Sequence, residues 1–211
     1  MNKPDYRRQM DRMISSLDGM PALLLHCCCA PCSSACLTEL YPYFEITCFY
    51  YNPNITDENE YRKRYSELVR LVGLINDDFA PPVPITVKEG GYDPDVFLGM
   101  VSSEGLAGCP EGGRRCERCF DLRLRKTYEE ASKGYDYFTT TLTISPLKDA
   151  DLINRTGYAI AGEDSRTPMW LPSDFKKRDG FKKSVALSEK YGLYRQDYCG
   201  CIYSEKERHG S

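Results

Sequence analysis

The chain has 211 residues, of which 41% are hydrophobic and 28% are charged, a composition typical of one globular domain rather than a disordered tail or a minimal disulfide scaffold. The formal net charge of −3 gives the whole molecule no field that would attract nucleic acid, although a local basic patch still could. No apolar stretch approaches the roughly 20 residues of a membrane span, and residues 1–8 do not resemble a secretory signal. We therefore expect a cytoplasmic protein that does not associate with membranes.

Hydrophobic patterning and turn residues predict helices and strands that alternate along the chain. In chain order they are a helical segment over 1–20, a strand over 21–26, a helix to about 40, a strand over 45–51, a helix capped by Asp57, a strand over 84–87, a brief helix over 96–101, a helix over 116–133, a strand over 135–144, a helix over 149–160, a strand over 169–172 and a helix over 181–191. This order predicts a single doubly wound α/β domain with a mainly parallel sheet of about five strands. Its functional loops should lie at the carboxyl ends of the strands.

The cysteine content is unusual for a protein expected in the cytoplasm. The chain contains eleven cysteines, an odd number, and a disulfide framework would not persist in a reducing compartment. Metal binding or redox chemistry is therefore the leading explanation.

Four of these cysteines follow the first predicted strand. They are Cys27, Cys28, Cys29 and Cys32. Pro31 suits the first turn of a helix and Ser33 or Ser34 can cap one, so a helix should begin here. Since a helix start favours anions, these thiolates should have a lowered pKa and be able to bind a metal or attack a disulfide. His26 directly precedes them and is either a structural residue or a proton donor.

A second pair, Cys116 and Cys119, opens a predicted helix. Side chains three residues apart share a helix face, so both sulfurs can reach one metal centre. With two thiolates from the first loop they complete the four-cysteine set that structural zinc or a [4Fe–4S] cluster requires. Adjacent cysteines are unusual in zinc ribbons, so the spacing favours the iron–sulfur cluster and leaves zinc as the alternative.

A third pair, Cys199 and Cys201, flanks a single glycine. Such a pair closes only a small, strained disulfide that is easily reduced, or its two sulfurs share a metal. Either use delivers two electrons. Cys36, Cys48 and Cys109 are instead predicted to be small, buried hydrophobic residues.

Two clusters of basic residues could hold the phosphates of a polyanion, unless they are ordinary solvated surface. One cluster comprises Lys176, Lys177, Arg178, Lys182 and Lys183, and the other comprises Arg114, Arg115, Arg118, Arg123 and Arg125.

Five segments of the chain form a distinctive set in this order: LLLHCCCAPCS at 23–33, YYNPNI at 50–55, RCERCFDLRL at 115–124, TTTLTISPLKD at 139–149 and GLYRQDYCGCIYSEKER at 192–208. Together they resemble the QueH family of epoxyqueuosine reductases. The resemblance implies a nucleotide-hydrolase-like fold of the HUP or Rossmann-like kind, with residues 21–211 as one α/β catalytic domain after the lead-in at 1–20. It also implies a cytoplasmic enzyme that reduces epoxyqueuosine to queuosine at the wobble position of tRNA, by two electrons and without cobalamin.

The resemblance further implies roles for individual cysteines. Cys28, Cys29, Cys116 and Cys119 would hold a [4Fe–4S] cluster, and Cys199 and Cys201 would be the redox-active dithiol. Cys27 leaves a second register for the adjacent pair, although alignment through His26 and Pro31 favours 28 and 29. A second iron beside the cluster is expected, with Cys32, the sulfurs of the third pair and a carboxylate such as Asp121 as candidate ligands.

The partners implied are a tRNA with a GUN-type queuosine anticodon and an unidentified low-potential electron donor. Two other functions remain open from the residues alone. One is a non-catalytic, zinc-stabilised RNA-binding module built on the same four cysteines. The other is a general thiol–disulfide oxidoreductase in which Cys199 and Cys201 are the active pair.

Overall fold

A five-stranded parallel sheet forms the centre of the molecule. The computed structural model describes residues 4–162 and 168–210. The strands are β1 (Ala22–His26), β2 (Glu45–Tyr50), β3 (Thr86–Glu89), β4 (Tyr137–Thr140) and β5 (Met169–Trp170). β1 is apolar along nearly its whole length because both of its faces are covered, as is usual for strands of a parallel sheet.

The strand order is β3-β2-β1-β4-β5, and all four neighbouring pairs run parallel. The chain moves outward from β1 in one direction through β2 and β3, then returns to place β4 on the other side of β1. The order therefore reverses between β1 and β4, and sheets of this kind bind their ligands outside the carboxyl ends of the strands at such a point. The cysteine loop after β1 and the segment after β4 both begin there.

Eight helices occur in the described part of the chain. They are α1 (Tyr6–Ser15), α2 (Ala30–Leu40), α3 (Glu58–Phe79), α4 (Pro94–Ser103), α5 (Arg114–Ala131), α6 (Ala150–Ala161), α7 (Gly180–Lys190) and α8 (Ile202–His209). Residues of α1, α2 and α3 bury one face of the sheet, and α7 packs on α2. Helices α5 and α6 pack together over the other face. The expected single doubly wound α/β domain is thus confirmed.

The bounds of β3, β4 and β5 differ most from the sequence-based expectation. β3 begins at Thr86, two residues after the expected start. The reason is that the Asn76 side-chain amide hydrogen-bonds to both the N–H and the carbonyl of Ile85, at 2.9 Å each, so these groups are not available for strand pairing. β4 ends at Thr140 because its hydroxyl accepts a hydrogen bond from the Leu142 N–H at 3.2 Å, which turns residues 141–144 into a 3₁₀ helix. β5 is limited to two residues.

Two expectations about helix ends were wrong. Ser33 and Ser34 do not cap α2; they lie inside it and donate to the carbonyls of Cys29 and Pro31. The C-terminal segment, where the hydrophobic pattern predicted no helix, is helical as α8. Its first turn is capped by the Cys201 sulfur, which accepts from the Ser204 N–H at 3.3 Å. Cysteine is not among the usual capping residues, so the sequence carried no ordinary signal for this helix.

Within residues 4–162 and 168–210, no helix combines the length and the apolar character needed to cross a membrane.

Candidate redox and metal site

Three cysteines meet where β1 passes into α2. The sulfurs of Cys28, Cys29 and Cys32 lie within 4.8 Å of one another, an arrangement that could hold a metal ion. Cys28 and Cys29 end the loop, and the first turn of α2 carries Cys32 back toward them. Cys28 and Cys29 were both predicted as ligands, whereas Cys32 was a candidate only for a second iron.

The proton is unevenly shared in this group. Hydrogen bonds from the Cys29 and Cys32 thiols hold the pKa of Cys28 well below its usual range. The same contact with Cys28 raises the pKa of Cys29 to about 12 and also raises that of Cys32. One thiolate among three sulfurs is therefore the stable state, and the lowered pKa expected for the whole loop holds for Cys28 alone.

Cys27 points to the other side of the sheet. Its side chain is fully buried in the core with Leu23, Leu25 and Cys48, and its thiol donates to the Leu25 carbonyl at 3.3 Å. Cys28 packs in the opposite cluster. The alternation of β1, continued one step beyond its end, thus separates Cys27 from Cys28, and Cys29 packs in the same cluster as Cys28.

Cys116 and Cys119 occupy the first turns of α5, as their spacing predicted. Both sulfurs receive hydrogen-bond donors: the Gly112 N–H lies 3.2 Å from Cys116 Sγ, and Arg123 Nη1 lies 4.0 Å from Cys119 Sγ. Burial raises the pKa of both thiols, to about 11 for Cys119. The pair lies outside the 4.8 Å group of the first loop, although Cys116 packs against the cluster that contains Cys28.

The sulfurs of Cys199 and Cys201 lie 3.5 Å apart, and both thiols are free. Their hydrogen bond lowers the pKa of Cys199 to about 6 and raises that of Cys201. A thiolate at Cys199 beside a protonated Cys201 is the state expected at neutral pH.

Two adjoining cavities connect the cysteine groups. The larger, of about 220 Å³, is lined by Cys28, Cys32 and Cys199. The smaller, of about 120 Å³, is lined by both cysteine pairs from α5 and the C-terminal segment. The residues common to both linings are Cys199, Lys148, Arg123, Glu111 and Leu147. The three cysteine motifs therefore face one connected region at the carboxyl ends of β1 and β4.

His26 is fully buried beside this region. Its Nδ1 lies 2.7 Å from the Thr140 hydroxyl, and its Nε2 lies 3.1 Å from the Tyr51 carbonyl. Burial and the nearby Arg123 guanidinium lower the pKa of His26 to about 3, so the ring is neutral near pH 7. This arrangement favours the structural interpretation over the proton donor.

Lys148 was missed by sequence reasoning. It follows the 3₁₀ turn after β4 and lines both cavities. Burial disfavours its charged form, but attraction to the negative charge of the Cys28 and Cys32 sulfur group, which carries one thiolate, outweighs burial and raises the pKa of Lys148. The sequence offered one indication of a role for Lys148, namely its position just beyond the carboxyl end of a predicted strand, where such sheets bind their ligands.

Most of the basic residues noted in the sequence are neutralised by carboxylates. Arg115 pairs with Glu207, and both Arg118 and Arg125 pair with Asp121. In the C-terminal half, the pairs are Lys176–Asp174, Arg178–Asp11 and Lys182–Asp179. Fewer basic residues of the two clusters are therefore free to bind a polyanion than the sequence suggested.

Asp121, a candidate iron ligand, already pairs with the guanidinium groups of Arg118 and Arg125.

Of the cysteines expected in the core, Cys36 and Cys48 are fully buried, whereas Cys109 is half-buried.

Comparison with known proteins assigns the chain to a family. The family model described as epoxyqueuosine reductase QueH matches residues 23–207. The chain is 38% identical over 208 residues to the epoxyqueuosine reductase QueH of Staphylococcus epidermidis, covering 96% of this chain and 85% of the relative. It is 39% identical to that of Streptococcus pyogenes, covering 97% and 79%, and 34% identical to that of Thermotoga maritima, covering 90% and 93%. The resemblance carried by the five segments is thus confirmed, and the chain belongs to the QueH family of epoxyqueuosine reductases.

Proposed function

We propose that this chain reduces the epoxide of epoxyqueuosine to the alkene of queuosine at the wobble position of tRNA, in the cytoplasm and without cobalamin. The observation that carries the proposal is the convergence of three cysteine motifs on two adjoining cavities in a QueH-family fold. A family of named reductases argues against a non-catalytic zinc module.

The donor set fits a cysteine-held metal centre. Cys28, Cys29, Cys116 and Cys119 would hold a [4Fe–4S] cluster, which supplies electrons one at a time when bound. Hydrogen bonds to the sulfurs of Cys116 and Cys119 are of the kind that orient and tune such ligands. Cys32 lies close enough to the first pair to serve a second iron.

The reduction requires two electrons and two protons. A thiolate and a thiol that form an S–S bond supply both electrons and one proton, and the Lys148 ammonium would supply the other proton; both C–O bonds of the epoxide break, and the oxygen leaves as water. Cys199 and Cys201 are the candidates because their sulfurs are in contact and one of them is a thiolate at neutral pH. A low-potential electron donor would then restore the dithiol.

The Lys148 ammonium lies in the wall between the two cavities. As an epoxide C–O bond breaks, negative charge develops on the oxygen, and a positioned cation stabilises it and delivers a proton. Lys148 would therefore act on the epoxide oxygen, a role that the neutral His26 does not fill.

The rim of the larger cavity suits an extruded nucleoside. Leu147 is 67% exposed and Phe181 is 38% exposed, and both line this cavity with Tyr198. Anticodon-loop bases leave their stack at low cost and are held by aromatic and apolar side chains. A GUN-type anticodon would present its wobble nucleoside here.

The test combines metal analysis with single-turnover reduction of tRNA that carries epoxyqueuosine. Anaerobically purified protein should contain iron and acid-labile sulfide and show a visible cluster spectrum. Cys199→Ala and Cys201→Ala should keep that spectrum but abolish queuosine formation. Cys109→Ala is the matched control and should retain activity.

Other outcomes would overturn the proposal. Colourless protein with stoichiometric zinc would support the RNA-binding module. Reduction of small disulfides by metal-free protein, with no queuosine formed, would support a general thiol–disulfide oxidoreductase. Full activity in both cysteine variants would remove the dithiol from the reaction.

A further inference from the structure

The turn that carries Cys199 and Cys201 is held in place by a distant part of the chain. The Cys199 carbonyl accepts two hydrogen bonds, from Asn54 Nδ2 at 3.1 Å and from Arg64 Nη1 at 3.2 Å. The neighbouring Gly200 carbonyl accepts a hydrogen bond from the Thr56 N–H at 3.2 Å. The connection between β2 and α3 thus fixes the backbone on both sides of the residue between the two sulfurs.

Arg64 is the central residue of this support. Its side chain is only 2% exposed, and its Nε donates to the Glu60 carboxylate at 2.6 Å. Its Nη2 also reaches the Tyr198 carbonyl at 3.4 Å. A guanidinium presents several donors in a rigid plane, so one side chain can hold two successive carbonyls while its charge is balanced.

The ion pair is itself held in position. The Tyr194 hydroxyl donates to the Glu60 carboxylate, at 3.1 and 3.2 Å from its two oxygens. Glu60 is therefore fixed from the segment that precedes the cysteine pair, and Arg64 is fixed by Glu60.

Gly200 shows how closely the turn fits this support. It has φ of +106°, and a Cβ at this position would lie 2.7 Å from Ile55 Cγ1 and 3.1 Å from Arg64 Nη1. The left-handed backbone and the close approach both require glycine. Movement of the turn would have to disturb the β2–α3 connection.

We propose that Arg64 is a positioning residue that holds the Cys199–Cys201 turn ready for disulfide formation. This inference rests on the proposed dithiol function. Without the support, the reduced turn gains conformations in which the sulfurs are apart, whereas the disulfide form is already constrained by its covalent bond. Loss of Arg64 therefore favours the dithiol for an entropic reason.

The experiment measures the equilibrium between dithiol and disulfide in the intact, anaerobically purified protein. Samples are equilibrated with glutathione at defined ratios of reduced to oxidised form, alkylated, and analysed by peptide mass spectrometry. Arg64→Lys should lower the equilibrium constant for Cys199–Cys201 disulfide formation by about tenfold. Glu60→Gln and Tyr194→Phe should shift it in the same direction by less.

Arg70→Lys is the matched control. Arg70 also lies on α3, pairs with Glu67, and donates to two successive carbonyls, those of Tyr191 and Gly192. It therefore repeats the arrangement of Arg64 at a place away from the cysteine pair. Its replacement should leave the equilibrium constant unchanged.

The outcomes separate this inference from the proposed function. Equal constants for the wild type, Arg64→Lys and Glu60→Gln would overturn the positioning role, and so would equal shifts in Arg64→Lys and Arg70→Lys. If Arg64→Lys does not fold, the equilibrium constants of Glu60→Gln and Tyr194→Phe are compared with that of the wild type instead, and equal values would overturn the positioning role. A wild type that forms no Cys199–Cys201 disulfide at any ratio would instead overturn the dithiol function.

Discussion

Two thiols separated by one residue differ in acidity because they share one proton. The sulfurs of Cys199 and Cys201 share a hydrogen bond, and this contact together with the Lys148 charge offsets the effect of burial on the Cys199 pKa. Removing the proton from Cys201 as well would place two negative charges in contact, which raises its pKa. Protonation at this site therefore belongs to the pair.

This sharing predicts a pH dependence of thiol reactivity. In reduced, metal-free protein, the rate of Cys199 alkylation by iodoacetamide should rise with pH around a midpoint near 6, because the thiolate is the nucleophile. Cys201→Ala removes the hydrogen bond and should move the midpoint toward the usual value of about 8.5. Mass spectrometry of the labelled peptide gives the rates. A wild-type midpoint near the usual cysteine pKa would contradict this assignment.

Lys148 provides a second prediction at the scale of one residue. Lys148→Met should lower the rate of queuosine formation roughly a hundredfold or more, the usual contribution of a positioned proton donor. Lys148→Arg keeps the charge but should transfer a proton poorly, so it should recover only part of the rate. Iron content should be unchanged in both variants. Lys190→Met, at an exposed lysine that pairs with Asp78 away from both cavities, is the control; an equal loss there would contradict the role of Lys148.

At the scale of elements, α8 brings the third cysteine motif against the second. Glu207 of α8 bonds Arg115 at 3.0 Å and the Glu111 N–H at 3.1 Å, at the entrance of α5. Cys201 caps the same helix. The C-terminal helix thus links the dithiol turn to the pair of cysteines on α5.

Another element contact depends on the absence of a side chain. α6 approaches β5 at Gly157, where a Cβ would lie 2.3 Å from the Trp170 ring. Gly157→Ala should therefore destabilise the protein by about 2 kcal/mol, as overpacking of a core does. Gly73→Ala on α3, where a Cβ meets nothing within 4 Å, should be neutral or slightly stabilising. Chemical denaturation of both variants measures the difference, and similar values for the two would refute the packing argument.

At the scale of the whole molecule, ion pairs decide which basic residues remain for tRNA. Among residues 4–162 and 168–210, Lys177 and Lys183 have no carboxylate partner, unlike their neighbours Lys176 and Lys182. Both lie near the start of α7, whose Phe181 lines the larger cavity. Part of the unpaired positive charge therefore lies beside the proposed nucleoside entrance.

Charge reversal tests this surface. Lys177→Glu combined with Lys183→Glu should weaken tRNA binding and reduce the slope of log K against log salt concentration by about 2, roughly one per phosphate contact. Lys190→Glu is the matched control, because it lies at the far end of α7 and pairs with Asp78. Binding titrations at several salt concentrations give the slopes. An unchanged slope in the double variant would remove this surface from the tRNA site.

The sequence by itself determined the class of fold and the chemistry available to it. Alternating periodicity predicted a doubly wound sheet, and most boundaries fell within a few residues, because caps and apolar spacing act between near neighbours. It also predicted that the cysteine motifs are the reactive groups. Where a side chain from elsewhere took the backbone bonds, as Asn76 does at Ile85, the local pattern predicted the wrong boundary.

Only the tertiary structure decided how the motifs meet. Residues near positions 28, 116, 148 and 199 line adjoining cavities because β4 lies beside β1 and α8 folds back onto α5. Strand order and ion-pair partners join residues far apart along the chain, and no local periodicity encodes such contacts. For this reason Lys148, the contacts of Arg64 with the cysteine turn, and the long-range pairs Arg115–Glu207 and Arg178–Asp11 emerged from the fold, whereas the cysteines could be identified from their order along the chain.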